Sequence, residues 1–120
     1  MIDYTSEEFI RKIEPFRWAS SEGQYTFYLN IENSYLAEIF QKRADEGFLG
    51  NGYDWEALVE IFLAEIYEGD DDSFEFDSEA DMFVVYSEDG VALADFALSF
   101  REACDDLDLI ADLFSRAELN

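Results

Sequence analysis

Apolar residues along this chain recur in two rhythms, every second position or every third to fourth, and each rhythm marks an element. Phe9, Ile10 and Ile13 form a short helical stripe within residues 6–13, which Pro15 should end. Phe16-Arg17-Trp18 and residues 24–31 read as strands; in the second, Tyr25, Phe27, Leu29 and Ile31 alternate with Gln24, Thr26, Tyr28 and Asn30. Ser20-Ser21-Glu22-Gly23 supplies the hairpin turn between them. Tyr35, Leu36, Ile39 and Phe40 make the stripe of a helix capped by Asn33 or Ser34 and stopped by Gly47. The cleanest helical face is Trp55, Leu58, Val59, Phe62, Leu63 and Ile66, with Asp54 as N-cap. Phe74-Glu75-Phe76-Asp77 alternates as a strand, and Met82-Phe83-Val84-Val85-Tyr86, apolar on both sides, reads as a central one. Ser87-Glu88-Asp89-Gly90 then opens a helix with Leu93, Phe96, Ala97, Phe100 and Cys104 inward. Asp105 or Asp106 caps a last helix with Leu107, Ile110, Ala111 and Phe114 inward.

A shift of 58 residues lays Phe16, Ser20 and Tyr28 on Phe74, Ser78 and Tyr86, and Trp18, Tyr25 and Phe27 on Phe76, Phe83 and Val85. The chain thus reads as strand-strand-helix-helix twice, a pattern that suggests internal duplication. The expected fold is α+β, a four-stranded, mostly antiparallel sheet with helices packed on one face, in one domain spanning 1–120. If Tyr25, Phe27, Phe83 and Val85 face the helices, then Thr26, Tyr28, Met82, Val84 and Tyr86 line the other side. That row is too apolar for simple exposure, so the first helix is expected to cover it through Phe9, Ile10 and Ile13.

Charge changes the picture most. Thirty Asp and Glu stand against seven Lys and Arg, giving −23, while 49% of the 120 residues are apolar and 18% aromatic. A chain so rich in apolar residues folds and then carries a negative field, which attracts basic proteins and repels nucleic acid and anionic membranes. The field is uneven: residues 1–60 hold 12 acids and 5 bases, residues 61–120 hold 18 acids and 2 bases. The absence of His removes His-based nucleophilic catalysis, and the lone Cys104 on an apolar helix face reads as a buried structural thiol in a reducing compartment. Zinc ligands are missing. Asp70, Asp71, Asp72, Asp77, Glu79 and Asp81 do not make an EF-hand, because Phe74 and Phe76 fall where ligands belong; they read as a solvated acidic loop, with a looser, weak cation site as the alternative. Carboxylate pairs of the kind glycosidases use carry no information among thirty acids. The Gly-rich stretch before Asp54 lacks the Lys and Ser or Thr of a phosphate-binding loop. Arg11-Lys12 and Lys42-Arg43 are local charge partners rather than a nucleic-acid patch. No cofactor or metal is implied. The first residues lack the basic start and apolar run of a signal peptide and no stretch has transmembrane length, so the cytoplasm is the expected location.

The run Gly50-Asn51-Gly52-Tyr53-Asp54-Trp55 with its Leu58/Phe62 helix, the segment Phe76-Asp77-Ser78-Glu79-Ala80-Asp81-Met82-Phe83, Tyr86-Ser87, and the closing Ile110-Ala111-Asp112-Leu113-Phe114-Ser115-Arg116-Ala117-Glu118 resemble the immunity protein 51 family of bacterial polymorphic toxin systems. The resemblance spans about residues 15–118. It implies a cytoplasmic protein, not an enzyme, that binds and neutralises a cognate toxin domain. The motif residues themselves read as structural: Gly50 and Gly52 permit a left-handed turn, Asp54 caps and Trp55 anchors the helix.

Many antibacterial toxins are nucleases with basic clefts, which an acidic surface would complement and reach quickly. Candidate contacts are Asp70, Asp71 and Asp72; Asp77, Glu79 and Asp81; Asp105, Asp106 and Asp108; and Tyr86 with Tyr28 as aromatic anchors if their face is open. The alternative is an acidic nucleic-acid mimic or regulatory adaptor that sequesters a basic protein; a carboxylate-dependent enzyme ranks third.

Overall fold

The computed structural model describes residues 4–31 and 35–118. In chain order the elements are α1 (Glu7–Lys12), β1 (Arg17–Ser21), β2 (Gln24–Asn30), α2 (Ala37–Gln41), a 3-10 turn (Ala44–Glu46), α3 (Gly52–Glu65), β3 (Glu75–Phe76), β4 (Met82–Ser87), α4 (Gly90–Cys104) and α5 (Leu107–Phe114). The strands form an antiparallel sheet in the order β1-β2-β4-β3. This is the α+β architecture that the sequence pattern predicts, with β4 central.

The β1–β2 turn is two residues long, and both Glu22 (φ 52) and Gly23 (φ 82) take the left-handed conformation that lets a tight hairpin follow the strand twist. Trp18 pairs with Phe27, Phe27 with Val85 and Val85 with Phe76, so one cross-strand line runs through all four strands on the core side. The same pairings repeat under the 58-residue shift: Arg17 opposes Tyr28 as Glu75 opposes Tyr86. The helices do not repeat in this way. α2 has 5 residues and α4 has 15, whereas α3 has 14 and α5 has 8.

Inner-face Phe27, Leu29, Phe83 and Val85 are buried against Trp55, Leu58, Val59 and Phe62 of α3 and Leu93, Phe96, Ala97 and Phe100 of α4. Phe16, which enters β1, is the hub: its ring lies within 6.5 Å of Phe27, Tyr35, Trp55, Phe83 and Phe100. Such ring pairs add about 0.5–1.5 kcal/mol each beyond area burial. Cys104 is buried, and desolvation pushes its thiol up to about 12, leaving it protonated and inert at neutral pH.

Four expectations are corrected. The first helix does not cover the outer sheet face: Phe9 meets Trp18 edge-on at 5.1 Å, Trp18 points to the core side, and Ile10 is 38% exposed. Thr26, Tyr28, Met82, Val84 and Tyr86 each stay partly exposed. Asp54 is not the N-cap of α3; Asn51 is, and Asp54 sits three positions on as the reciprocal partner of a capping box. Gly50 is left-handed (φ 75), but Gly52 is not; its role is close approach. Ile66 and Leu107 point outward, 42% and 55% exposed, because each lies just past or at a helix end where the stripe turns away from the core. The predicted caps Asn33 and Ser34 lie outside the described residues; Leu36 stands at the α2 cap position with no side-chain cap bond. Asp106 caps α5, accepting from the Leu109 N–H at 3.1 Å.

Candidate functional site

The helical period of α4 sorts its residues into two faces. Leu93, Phe96, Ala97 and Phe100 turn inward, so Asp95, Ser99, Glu102 and Ala103 turn out. α3 ends beside this outward face, and α5 begins there. Together they enclose an open groove of about 980 Å³. Its floor is apolar: Phe62, Ile66, Tyr67, Ala103, Leu107 and Leu109. Its walls are acidic: Glu68, Asp95, Glu102, Asp105, Asp106 and Asp108.

Only Asp105 of these acids has a cationic partner among the described residues, Arg101 at 2.7 Å. Arg101 also donates to the Glu14 carbonyl, tying the end of α4 to the loop after α1. Tyr67 donates its hydroxyl to Asp95 at 2.8 Å. Its phenol is held well above the usual range by burial first, then by the Asp95 hydrogen bond and the charges of Asp95, Asp71 and Asp70. The Asp70-Asp71-Asp72 loop follows directly on Glu68 and Gly69, which line the groove, but is not itself part of the lining. The carboxyl-terminal ends of α3 and α4 add their negative partial charges to the same region.

Of the predicted acidic groups, Asp105, Asp106 and Asp108 line the groove; the Asp70–Asp72 loop only adjoins its Glu68 and Gly69 in sequence. Glu68, Asp95 and Glu102 were not among the expected residues; the outward stripe of α4, opposite its apolar stripe, is the signal for Asp95 and Glu102, whereas Glu68 lies past the end of α3 in no periodic stripe. The third group is elsewhere. Asp77, Glu79 and Asp81 belong to the β3–β4 turn, which lies against the start of α3. Tyr86 lies on the outer sheet face opposite Glu75, whose carboxylate raises its phenol pKa.

The Gly50–Trp55 run builds the start of α3. The buried Asp54 carboxylate accepts from the N–H groups of Leu49, Gly50 and Asn51 at 2.6, 2.7 and 3.4 Å, and Asn51 accepts from the Asp54 N–H at 2.9 Å. The Gly52 N–H donates to the Ala80 carbonyl, and its bare Cα leaves room for the main chain of Glu79 and Met82. Trp55 is buried among Phe16, Phe40, Phe83 and Phe100. Tyr53 is 42% exposed.

Among the described residues no three acids or cysteines converge as metal ligands do, and no helix is long and apolar enough to cross a membrane. The groove brings six acids and an apolar set of side chains into one lining. Neither a curated protein nor a solved structure matches the chain. The sequence profile of the family described as Immunity protein 51 matches residues 16–119. The chain belongs to the immunity protein 51 family, non-enzymatic proteins of bacterial toxin systems whose role is to neutralise a cognate toxin.

Proposed function

We propose that this immunity protein works in the cytoplasm by stoichiometric binding, with the α3–α4–α5 groove seated over a basic element of its toxin. The observation that carries this reading is the set of acids without cationic partners among the described residues, Glu68, Asp95, Glu102, Asp106 and Asp108, in a groove also lined by exposed Ile66 and Leu107. Cationic side chains of the toxin replace the missing partners, while its apolar residues cover the floor. Where the toxin is a nuclease, the acids take the place of substrate phosphates and exclude nucleic acid. The field of a −23 chain draws the toxin in before contact.

Stopped-flow association with the neighbouring toxin domain tests this. Raising NaCl from about 0.05 to 0.5 M should slow association roughly tenfold or more and leave dissociation within about threefold. The triple variant Glu68→Gln/Glu102→Gln/Asp108→Asn should slow association far more than Asp77→Asn/Glu79→Gln/Asp81→Asn, which removes the same charge elsewhere. Equal slowing by both would show that net charge alone acts and that the groove is not the site.

A further inference from the structure

The outer face of the sheet carries no acid at its centre among the described residues. Tyr28, Val84, Tyr86, Thr26 and Met82 occupy it, all partly exposed, and the helices α3 and α4 pack on the opposite side through Phe27, Leu29, Phe83 and Val85. Among the described residues, charge stands at its edges: Arg17, with Glu14 beside the same pocket, on the β1 side, and acids alone on the β3 side. The β1 edge carries Arg17, which has no ion-pair partner among the described residues. The β3 edge carries Glu75 and Asp77.

The register fixes how these groups line up. Arg17 opposes Tyr28, Tyr28 opposes Val84, and the Asp77 N–H donates to the Val84 carbonyl. Arg17, Tyr28, Val84 and Asp77 therefore form one line straight across the sheet. Three strand spacings, about 14 Å, separate its ends, so Arg17 and Asp77 of one chain cannot pair. The neighbouring line is Ala19, Thr26, Tyr86 and Glu75.

We propose that this face is the interface of a two-fold dimer of the chain, with the symmetry axis lying between the two sheets and parallel to the strands. Such an axis reverses each cross-strand line and keeps the strand directions aligned, as in packed sheets. Arg17 then faces Asp77 of the partner subunit, twice. Each Tyr28 lies over the partner's Val84 and each Tyr86 over the partner's Thr26, large upon small, which is the complementarity that packing needs. An axis across the strands instead would lay β1 on β1 and leave Arg17 unanswered. The face is small beside standard specific interfaces, so the dimer is a weak, concentration-dependent one. It uses none of the groove residues.

Self-association brings two chains of −23 together, so salt favours it by screening, the opposite of its effect on an acidic groove meeting a basic toxin. Sedimentation of the full chain from about 5 to 500 μM, at about 0.15 and 0.5 M NaCl, is the test. The average mass should climb from 13.9 kDa toward twice that value, further at the higher salt. Arg17→Asp and Asp77→Arg should each weaken the dimer about tenfold, and the double exchange should restore it to within about threefold. A chain that stays monomeric throughout, single exchanges without effect, or a double exchange that does not restore pairing would each overturn the dimer. So would a monomeric wild type whose toxin binding is lost in Tyr28→Lys, because the face would then belong to the toxin. Loss of the groove's toxin binding, with the dimer intact, leaves this inference standing.

Discussion

A methyl group at Gly52 would lie 2.0 Å from the Glu79 carbonyl oxygen and 2.3 Å from that of Met82, both main chain. Neither oxygen can swing aside, so α3 would have to lift off the β3–β4 turn. At Gly50 a methyl group would meet Phe40 at an ordinary 3.5 Å, and only the left-handed φ of 75 resists substitution. Urea unfolding should therefore show Gly52→Ala losing about 3 kcal/mol or more and Gly50→Ala about 1 kcal/mol; equal losses would mean that the close approach is not what selects glycine. The sequence made this run legible as a helix start, because Asn, Asp and Gly before an apolar stripe have few other uses. It did not reveal which residue caps. Asn51 and Asp54 are both good caps, and the choice rests on the conformation at Gly50 and the contact at Gly52, neither of which a pattern contains.

At the scale of elements, α5 depends on a residue far away in sequence. The Arg43 guanidinium donates to the carbonyls of Phe114 and Ala117 and lies over the rings of Phe48 and Phe114, while Glu46 holds its other side. It thus supplies the donors that the carboxyl-terminal end of a helix lacks. Arg43→Met keeps the stem and removes the donors; it should destabilise the fold by about 1–3 kcal/mol, whereas Lys42→Met should stay within about 0.5 kcal/mol. Matched midpoints in denaturant for the two variants would refute the capping role. Reading Lys42-Arg43 as local charge partners captured the Glu46 contact and nothing of the bond to α5, because local spacing cannot report a neighbour 71 residues on. The same limit explains Ile66 and Leu107. Both fit an inward helical stripe, yet the groove needs them outward, and only the meeting of three helix ends decides it.

For the molecule as a whole, apolar rhythm was enough to predict the sheet, its central strand and the inward faces of α3 and α4, because those positions are set by burial alone. The 58-residue shift anticipated that Phe27, Phe83 and Val85 share the core side of the sheet. The groove was half legible: acids were found in the second half of the chain, but their grouping depends on tertiary packing. Thirty acids with five described ion pairs leave a fold under self-repulsion. Moderate NaCl at neutral pH should raise the melting temperature by about 4 °C for each kcal/mol of repulsion relieved, and calorimetry of a dilute sample would show it. A flat response would mean that the acids are already far enough apart.

Helix α3 joins two parts of the protein that answer to different pressures. Its first turn holds Gly52, Asp54 and Trp55, buried in the frame, and its far end, about 20 Å away, opens onto the groove. Exchanges at Ile66, Glu68, Glu102 or Asp108 alter what the surface greets without touching the start of the helix. With the toxin seated as proposed, inheritance of the fold and choice of adversary are separable: substitutions around the groove follow a changing toxin while the start of α3 stays fixed.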